Sequence, residues 1–406
     1  MARADRPIAY GRQSIDDSDL AAVAAALRSD YLTTGPAVEA FESDLTRHTG
    51  ARHAVAVSSG TGALHVLYAA LGLGRGDTLV VPAITFVATA SAAELLGCRA
   101  VFADVDPDTG LMEPQHAEEA LRRAPNVRAV VAVHLNGQSC DLSGLAASVR
   151  TSGVPLLEDA CHAIGGDEWR SGRGAAGEKG GPAASRIGAC SEGLAACFSF
   201  HPVKTITTCE GGAVTTNDPV LADRMRLLRN HGLRREPAAG EGWPADAKGR
   251  PLPWYYRLDE PGFNYRLSDV QCALGQAQLA RLDAFVSERR RLAARYDRLL
   301  APLRERVVPI ARPSPVATAW HLYPVLCKGG AEERADLYHH LKARNILAQV
   351  HYVPVTSHPY YRRSLDGAVF PGAQSYYDRV LSLPLYAGLA ESDQDRVVDA
   401  LTGFFR

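Results

Sequence analysis

The sequence has no surplus of either charge. Its 44 Lys and Arg stand against 45 Asp and Glu, a formal net charge of −1. No general field therefore draws in nucleic acid or an anionic membrane, and any negative ligand must be held by local donors. No stretch approaches the roughly 20 apolar residues that a membrane span needs. The opening residues, Met1 to Pro7, lack the apolar core of a signal peptide, which points to the cytoplasm. No C-x-x-C pair occurs among the eight cysteines, at 98, 140, 161, 190, 197, 209, 272 and 327. That absence removes the usual zinc and redox motifs, and no metal is expected. In a cytosolic chain disulfides are the minor reading, and most of the thiols are expected to be small buried apolar residues. No internal repeat is present either.

What is present is size and alternation. A chain of 406 residues exceeds one ordinary core, so two domains sharing a cleft are expected. Between residues 50 and 220, short β-rich apolar runs alternate with helical patterns, the signature of βαβ units and a mostly parallel sheet. Strands are predicted at His53–Ser58, Thr78–Ile84, Arg99–Val105, Val127–His134, Val154–Asp159, Leu194–Phe200 and Gly212–Thr216. Leu64, Leu67, Tyr68 and Leu71 fall at i, i+3, i+4 and i+7, which predicts an amphipathic helix over Thr61–Leu71. Ligands then belong at the carboxyl ends of the strands.

The character changes after residue 230. A Gly/Pro/Ala-rich segment runs from Glu236 to Pro253, and Ser268 with Gln271 then forms an S-x-x-Q capping box that opens a long helix. Its apolar stripe, Leu279, Leu282, Phe285 and Val286, continues toward Tyr296. Strands predicted at Trp320–Cys327 and Ile346–Tyr352 surround a helix over Ala331–Arg344, a smaller α+β domain. The expected division is a large domain over 1–255 with an N-terminal arm, then a linking helix and small domain over 256–406. Gly165–Arg186, rich in Gly, Ala and Arg without apolar period, is expected to be an exposed, mobile loop.

Three segments could carry chemistry. In Val57-Ser-Ser-Gly-Thr-Gly-Ala63 a strand ends in small residues and a helix begins, leaving backbone N–H groups that can face a phosphate. Small residues are also what any tight strand-to-helix turn needs. In Leu156-Leu-Glu-Asp-Ala-Cys-His162 an apolar strand ends in two acids and a histidine. Asp159 can hold a proton on a cofactor's ring nitrogen or cap a following helix, and His162 can serve the site or pack in the core. In Phe198-Ser-Phe-His-Pro-Val-Lys204, followed by a Gly-Gly turn at 211–212, a single lysine stands with no opposite charge at helical spacing. Such an amine can lose its proton by desolvation and form a Schiff base. Phosphate turn, ring-nitrogen acid and Schiff-base lysine, in this chain order, fit pyridoxal 5'-phosphate.

Over almost its whole length the chain resembles the fold-type I pyridoxal-phosphate enzymes of the DegT/StrS family of nucleotide-sugar aminotransferases. Tyr31–Pro36, Val81–Thr89, Glu158–His162, Phe198–Val214, Arg229–Gly232 and Gly262–Gln271 carry the likeness. It implies an α/β fold, with a large domain on a mostly parallel sheet and a smaller α+β C-terminal domain. It also implies a cofactor alternating between pyridoxal and pyridoxamine phosphate, L-glutamate as amino donor and a nucleotide-linked 4-keto sugar as acceptor. Position by position, Lys204 matches the Schiff-base lysine, Asp159 the partner of the pyridinium nitrogen, His162 a residue near the phenolic oxygen and Phe86 the aromatic stacked on the ring. Gly60, Thr61 and Ser199 match the phosphate binders. Asn264 matches an asparagine that reaches the phosphate from a neighbouring subunit, which implies a homodimer with shared sites. His231, His321 and Tyr323 are candidates for the sugar pocket, because Arg229-Asn-His-Gly232 and Trp320-His-Leu-Tyr323 recur in relatives.

Phe198–Lys204, Pro253–Tyr256, Gln349–Pro354 and Ser382–Tyr386 are most similar to the pseudaminic-acid branch of the family, which aminates C4 of UDP-2-acetamido-2,6-dideoxy-β-L-arabino-hex-4-ulose. Perosamine-like and antibiotic sugars are the alternative acceptors. Two departures stand out. Cys209 occupies a position where relatives usually carry glycine; its side chain either crowds the turn or marks a backbone with negative φ, and tolerance is expected. The Gly165–Arg186 loop is longer than usual. Of the rival readings, a sugar dehydratase on this fold has histidine in place of the lysine, and Lys204 is present. A cofactor-free regulatory or scaffold protein would keep only the fold.

Overall fold

The computed structural model describes residues 6–171, 185–237, 241–312, 314, 316–365 and 367–406. Its central sheet consists of β1 (His53–Val57), β2 (Thr78–Pro82), β3 (Arg99–Ala103), β4 (Val127–Val133), β5 (Leu156–Asp159), β6 (Ala195–Ser199) and β7 (Gly212–Thr216). All seven stand where the sequence places them, within two residues at each end. The spatial order is β1-β7-β6-β5-β4-β2-β3. Pairing is parallel from β6 through β5, β4 and β2 to β3, while β7 runs antiparallel to both β6 and β1. Strands covered on both faces read as unbroken apolar runs, and every residue of β2 and the last five of β4 are buried. The predicted amphipathic helix spans Gly60–Ala70 and packs its Leu64, Leu67 and Tyr68 into the main core.

A two-stranded ribbon, β8 (Leu233–Arg234) with β9 (Arg257–Leu258), precedes the smaller unit. That unit holds the antiparallel sheet β10 (Val307–Pro309), β11 (Tyr323–Cys327) and β12 (Val380–Leu383), and the expected helix between its strands spans Gly330–Lys342. A hydrophobic cluster of its own, including Tyr296, Val325 and Leu381, supports it.

Two sequence expectations need correction. The long helix is two helices, Asp269–Leu279 and Leu282–Leu300, separated at Ala280 and Arg281. The Ser268–Gln271 capping box opens the first as expected. The break places the Arg281 guanidinium on Asp16 and Asp19 of the N-terminal helix region, and Gln278 beside it donates to Asp19 at 2.9 Å. Contacts with another element outweigh local helix propensity here. Among the described residues Ile346–Tyr352 forms no ladder and makes only single bridges, Ile346 to Ile8 and Gln349 to Ser382. Ile346 and Ala348 fill the small core, whereas His351 and Tyr352 turn to a cavity of the large unit, so the stretch crosses between cores.

The amino-terminal arm joins the same crossing. Ile8 exchanges backbone hydrogen bonds with Asn345 and Leu347 and lies in the small core, and Tyr10 accepts from the Leu385 N–H. Residues 172–184, the middle of the expected mobile loop, lie outside the described residues. Its flanks are held: Arg186 donates to the Gly165 carbonyl at 3.0 Å, and the Trp169 N–H donates to Ser139 Oγ at 2.8 Å. Among the described residues no helix is long and apolar enough to cross a membrane. All eight cysteines are free thiols, and all but Cys161 and Cys209 are buried.

Candidate active site

The strand ends of the large unit surround a cavity of about 300 Å³. Helix Gly60–Ala70 points its first turn at it. Ser59 Oγ caps the helix by accepting from the Gly62 N–H at 3.0 Å. The N–H groups of Gly60 and Thr61, as the first two residues of the helix, have no intrahelical acceptor and stand at the positive end of the dipole. A Cβ on Gly60 would lie 2.7 Å from Ser199 Cβ and 3.2 Å from Cys161 Sγ. Ser199, at the end of β6, can approach this backbone only because residue 60 lacks a side chain. The cradle fits a phosphate dianion.

Side chains alternate along β5, so its two acids face opposite ways. Glu158 is fully buried and receives the Nε2 hydrogen of His134 at 3.0 Å, since His134 Nδ1 accepts from the Cys140 N–H. Asp159 lines the cavity. One of its oxygens accepts the Thr89 hydroxyl at 2.7 Å, and the other accepts the Cys161 N–H at 3.2 Å. Thr85 stands 2.7 Å from Thr89, so it donates to the hydroxyl that donates to Asp159. Residues 161–165 form turns, which leaves no helix for Asp159 to cap. The carboxylate is thus held in one orientation, suited to a protonated ring nitrogen.

Lys204 follows β6 in a turn closed by its N–H on the His201 carbonyl at 2.8 Å. Among the described residues its amine forms no ion pair. Burial disfavours the ammonium and pulls its pKa below the ordinary lysine value, against the opposing pull of Cys161 and Asp159. Burial, with Asp159 beside it, pushes the Cys161 thiol far up, so Cys161 stays protonated. Phe86 is 54% exposed although aromatic, and presents its ring to the cavity. Unclaimed donors, an oriented acid, an unpaired amine and an open aromatic face together fit pyridoxal phosphate.

His162 also lines the cavity, with the His321 ring behind it at 4.4 Å. His321 is buried, and the carbonyls of Trp320 and His321 accept from the buried Arg289 guanidinium at 3.2 and 3.1 Å. The structure does not bring the other sugar-pocket candidates to this cavity. His231 is exposed elsewhere, and Tyr323 is buried in the small core with its hydroxyl on Asp297 at 2.7 Å. Asn264 is exposed, paired with Asn230 in a single bridge, and lines no part of the cavity within this chain.

Sequence reasoning missed Tyr10, Thr85, His351 and Tyr352, which all line the cavity. The segment Gln349-Val-His-Tyr-Val-Pro354 carries part of the family likeness, and that was the available signal for the last two. His351 Nδ1 pairs with Ser382 Oγ at 2.9 Å, and burial together with Lys204 pulls its pKa down to about 3. Cys209 has φ +65°, so its backbone is left-handed and the alternative of a negative φ is ruled out. Glycine adopts this region without the steric cost, so Cys209→Gly is expected to stabilise the protein by up to about 1 kcal/mol. A denaturant midpoint that falls in the variant would contradict this.

The fold and this cavity define a fold-type I, pyridoxal-phosphate-dependent aminotransferase. The model of the DegT/DnrJ/EryC1/StrS aminotransferase family matches residues 13–402, and the chain belongs to that family. It is 35% identical over 397 residues to the spore coat polysaccharide biosynthesis protein SpsC of Bacillus subtilis, covering 97% of this chain and 95% of SpsC. Among solved structures it is similar to Helicobacter pylori PseC, an aminotransferase involved in the biosynthesis of pseudoaminic acid. That likeness has a TM-score of 0.85 and 29% identity, over 98% of this chain and 99% of PseC. The putative sugar aminotransferase Spr1654 of Streptococcus pneumoniae, solved in PLP and PMP forms, superposes with a TM-score of 0.84 and 25% identity. It covers 98% of this chain and 98% and 97% of those two chains.

Proposed function

We propose that this aminotransferase moves the amino group of L-glutamate to C4 of a UDP-linked 4-keto-6-deoxy-N-acetylhexosamine, the pseudaminic acid precursor UDP-2-acetamido-2,6-dideoxy-β-L-arabino-hex-4-ulose. The likeness to PseC over nearly the full length of both chains carries the substrate part. The 35% identity to SpsC supports a second reading, in which the acceptor is another nucleotide 4-keto sugar. Incubating enzyme and L-glutamate with a panel of nucleotide 4-keto sugars, with products read by mass spectrometry, separates the two. Amination of the UDP-N-acetyl sugar in preference to the others is expected; preference for a different sugar overturns the first reading.

When bound, the cofactor supplies the electron sink that lets an amino group leave one substrate and join another. The Gly60 and Thr61 N–H groups and the Ser199 hydroxyl would hold its phosphate, and Phe86 would cover its ring. Asp159, its orientation set by Thr89 and the Cys161 N–H, would keep the ring nitrogen protonated. Lys204 is the amine that would hold the cofactor between turnovers. Its free amine would move a proton at the substrate carbon, and burial, which disfavours its ammonium form, suits it to that role.

We infer that two chains share their sites. Asn264 is exposed and away from the cavity of its own chain, and exposed apolar side chains, Leu32, Trp254, Tyr256 and Leu258, lie on segments near it in sequence or pairing. Mixing inactive Asn264→Ala and Lys204→Ala proteins is expected to restore activity. Failure of every such mixture refutes the shared site.

A further inference from the structure

His162 has no free nitrogen to offer a ligand. Its Nδ1 accepts the Asn136 N–H at 3.3 Å, and its Nε2 lies 3.0 Å from the Tyr352 hydroxyl oxygen. The first contact depends on a left-handed turn, with φ +63° at Asn136 and +93° at Gly137. A Cβ on Gly137 would stand 2.8 Å from the Trp320 N and 3.0 Å from the His162 carbonyl, so the turn sits tight under the histidine. Asn136 is held in addition by its side-chain amide, which donates to the Tyr376 hydroxyl at 3.1 Å.

These contacts settle where the imidazole hydrogen is. A neutral ring that accepts at Nδ1 carries its hydrogen on Nε2. The doubly protonated ring would set an Nδ1 hydrogen against the Asn136 hydrogen. Burial, with Lys204 and His351 nearby, also drives the His162 pKa well below the ordinary histidine value. His162 therefore donates to the Tyr352 oxygen. The hydrogen of Tyr352 itself then has no acceptor among the described residues, and Tyr352 lines the cavity across from Phe86, with ring centroids 6.0 Å apart.

We propose that Tyr352 is a hydrogen-bond donor to an anionic oxygen of the cavity's occupant, and that His162 acts as a positioning residue through Tyr352 rather than on the ligand itself. The inference holds whichever sugar is the acceptor. A phenol that already accepts one hydrogen bond is a better donor of its own. Burial, then Asp159, Tyr10, Cys161 and Tyr376 around it, push the Tyr352 pKa far above the ordinary tyrosine value, so the hydrogen stays on the phenol. His162, His201, Lys204, Glu210 and His351 complete the titratable groups that line the cavity, and His351, its pKa pulled down to about 3, stays neutral at working pH. The oxygen is assigned to one of two groups, the cofactor's phenolate or the amino donor's carboxylate.

The test uses the holoenzyme and the isosteric variant Tyr352→Phe. Two quantities are read: the pH midpoint of the bound cofactor's visible absorption without substrate, and the KM for L-glutamate. If the oxygen is the phenolate, losing the donor disfavours the deprotonated cofactor, and the midpoint rises by about one pH unit. If it is the donor's carboxylate, the midpoint stays and KM rises by about tenfold. In either case His162→Asn should move the same quantity in the same direction, and add nothing in the Tyr352→Phe background. An unchanged midpoint together with an unchanged KM in Tyr352→Phe overturns the proposal. So does an effect of His162→Asn that is equally large without the Tyr352 hydroxyl, because the histidine would then act by another route.

Discussion

Lys204→Ala is expected to lower turnover by about four orders of magnitude or more, since one side chain provides both the covalent anchor and the proton carrier. It is the only Lys or Arg among the described residues of the cavity wall, so no neighbouring amine stands ready to replace it. The fold should survive. Among the described residues the amine makes no ion pair, and burying it disfavours its charged form, so its removal costs the folded state little. The phosphate cradle at Gly60 and Thr61 and the Asp159 carboxylate remain in place, and the variant should still bind the cofactor, now reversibly through dialysis. Stopped-flow single turnover is the decisive measurement, and a wild-type rate there would sink the assignment. Borohydride reduction of the wild type followed by peptide mapping should place the label on residue 204.

Asp159→Asn should lower kcat by about a thousandfold while leaving the KM for L-glutamate within a few-fold. The carboxylate stands close to two donors, the Thr89 hydroxyl and the Cys161 N–H, one on each oxygen. An amide has a single oxygen, so the variant turns its NH2 toward one of these donors and loses the negative charge opposite the ring nitrogen. The cofactor would then spend most of its time with that nitrogen unprotonated, which removes the electron sink. The absorption spectrum of the bound cofactor and steady-state rates report the two effects separately. Unchanged turnover would mean that a different group protonates the ring.

The parts of the molecule most legible in the sequence are those governed by short-range rules. All seven strands of the large sheet follow from apolar runs bounded by turn residues, and the Ser268–Gln271 box marks a helix start that the structure reproduces. The Asp159 position follows from strand geometry, because the last residue of β5 necessarily overlooks the crevice. The break at Ala280–Arg281 was hidden, because its cause is an aspartate pair more than 250 residues earlier in the chain, Asp16 and Asp19. His351 and Tyr352 lie in a stretch whose alternation reads as a strand, and only the three-dimensional meeting of small core and cavity shows why that stretch pairs so little. Among the histidines, sequence singled out 162, 231 and 321; the first lines the cavity, the last backs it and 231 is exposed elsewhere.

The path of the amino-terminal arm bears on how the enzyme tolerates fusion. Ile8 is locked into the small core and Tyr10 forms cavity wall two residues later. A purification handle joined ahead of Met1 is therefore tethered within nine residues of the reaction chamber, a reach of about 30 Å when extended. Clipping the chain back past Ile8 would unplug one core and strip a wall from the chamber in a single cut, so trimming at this end should harm activity and folding together.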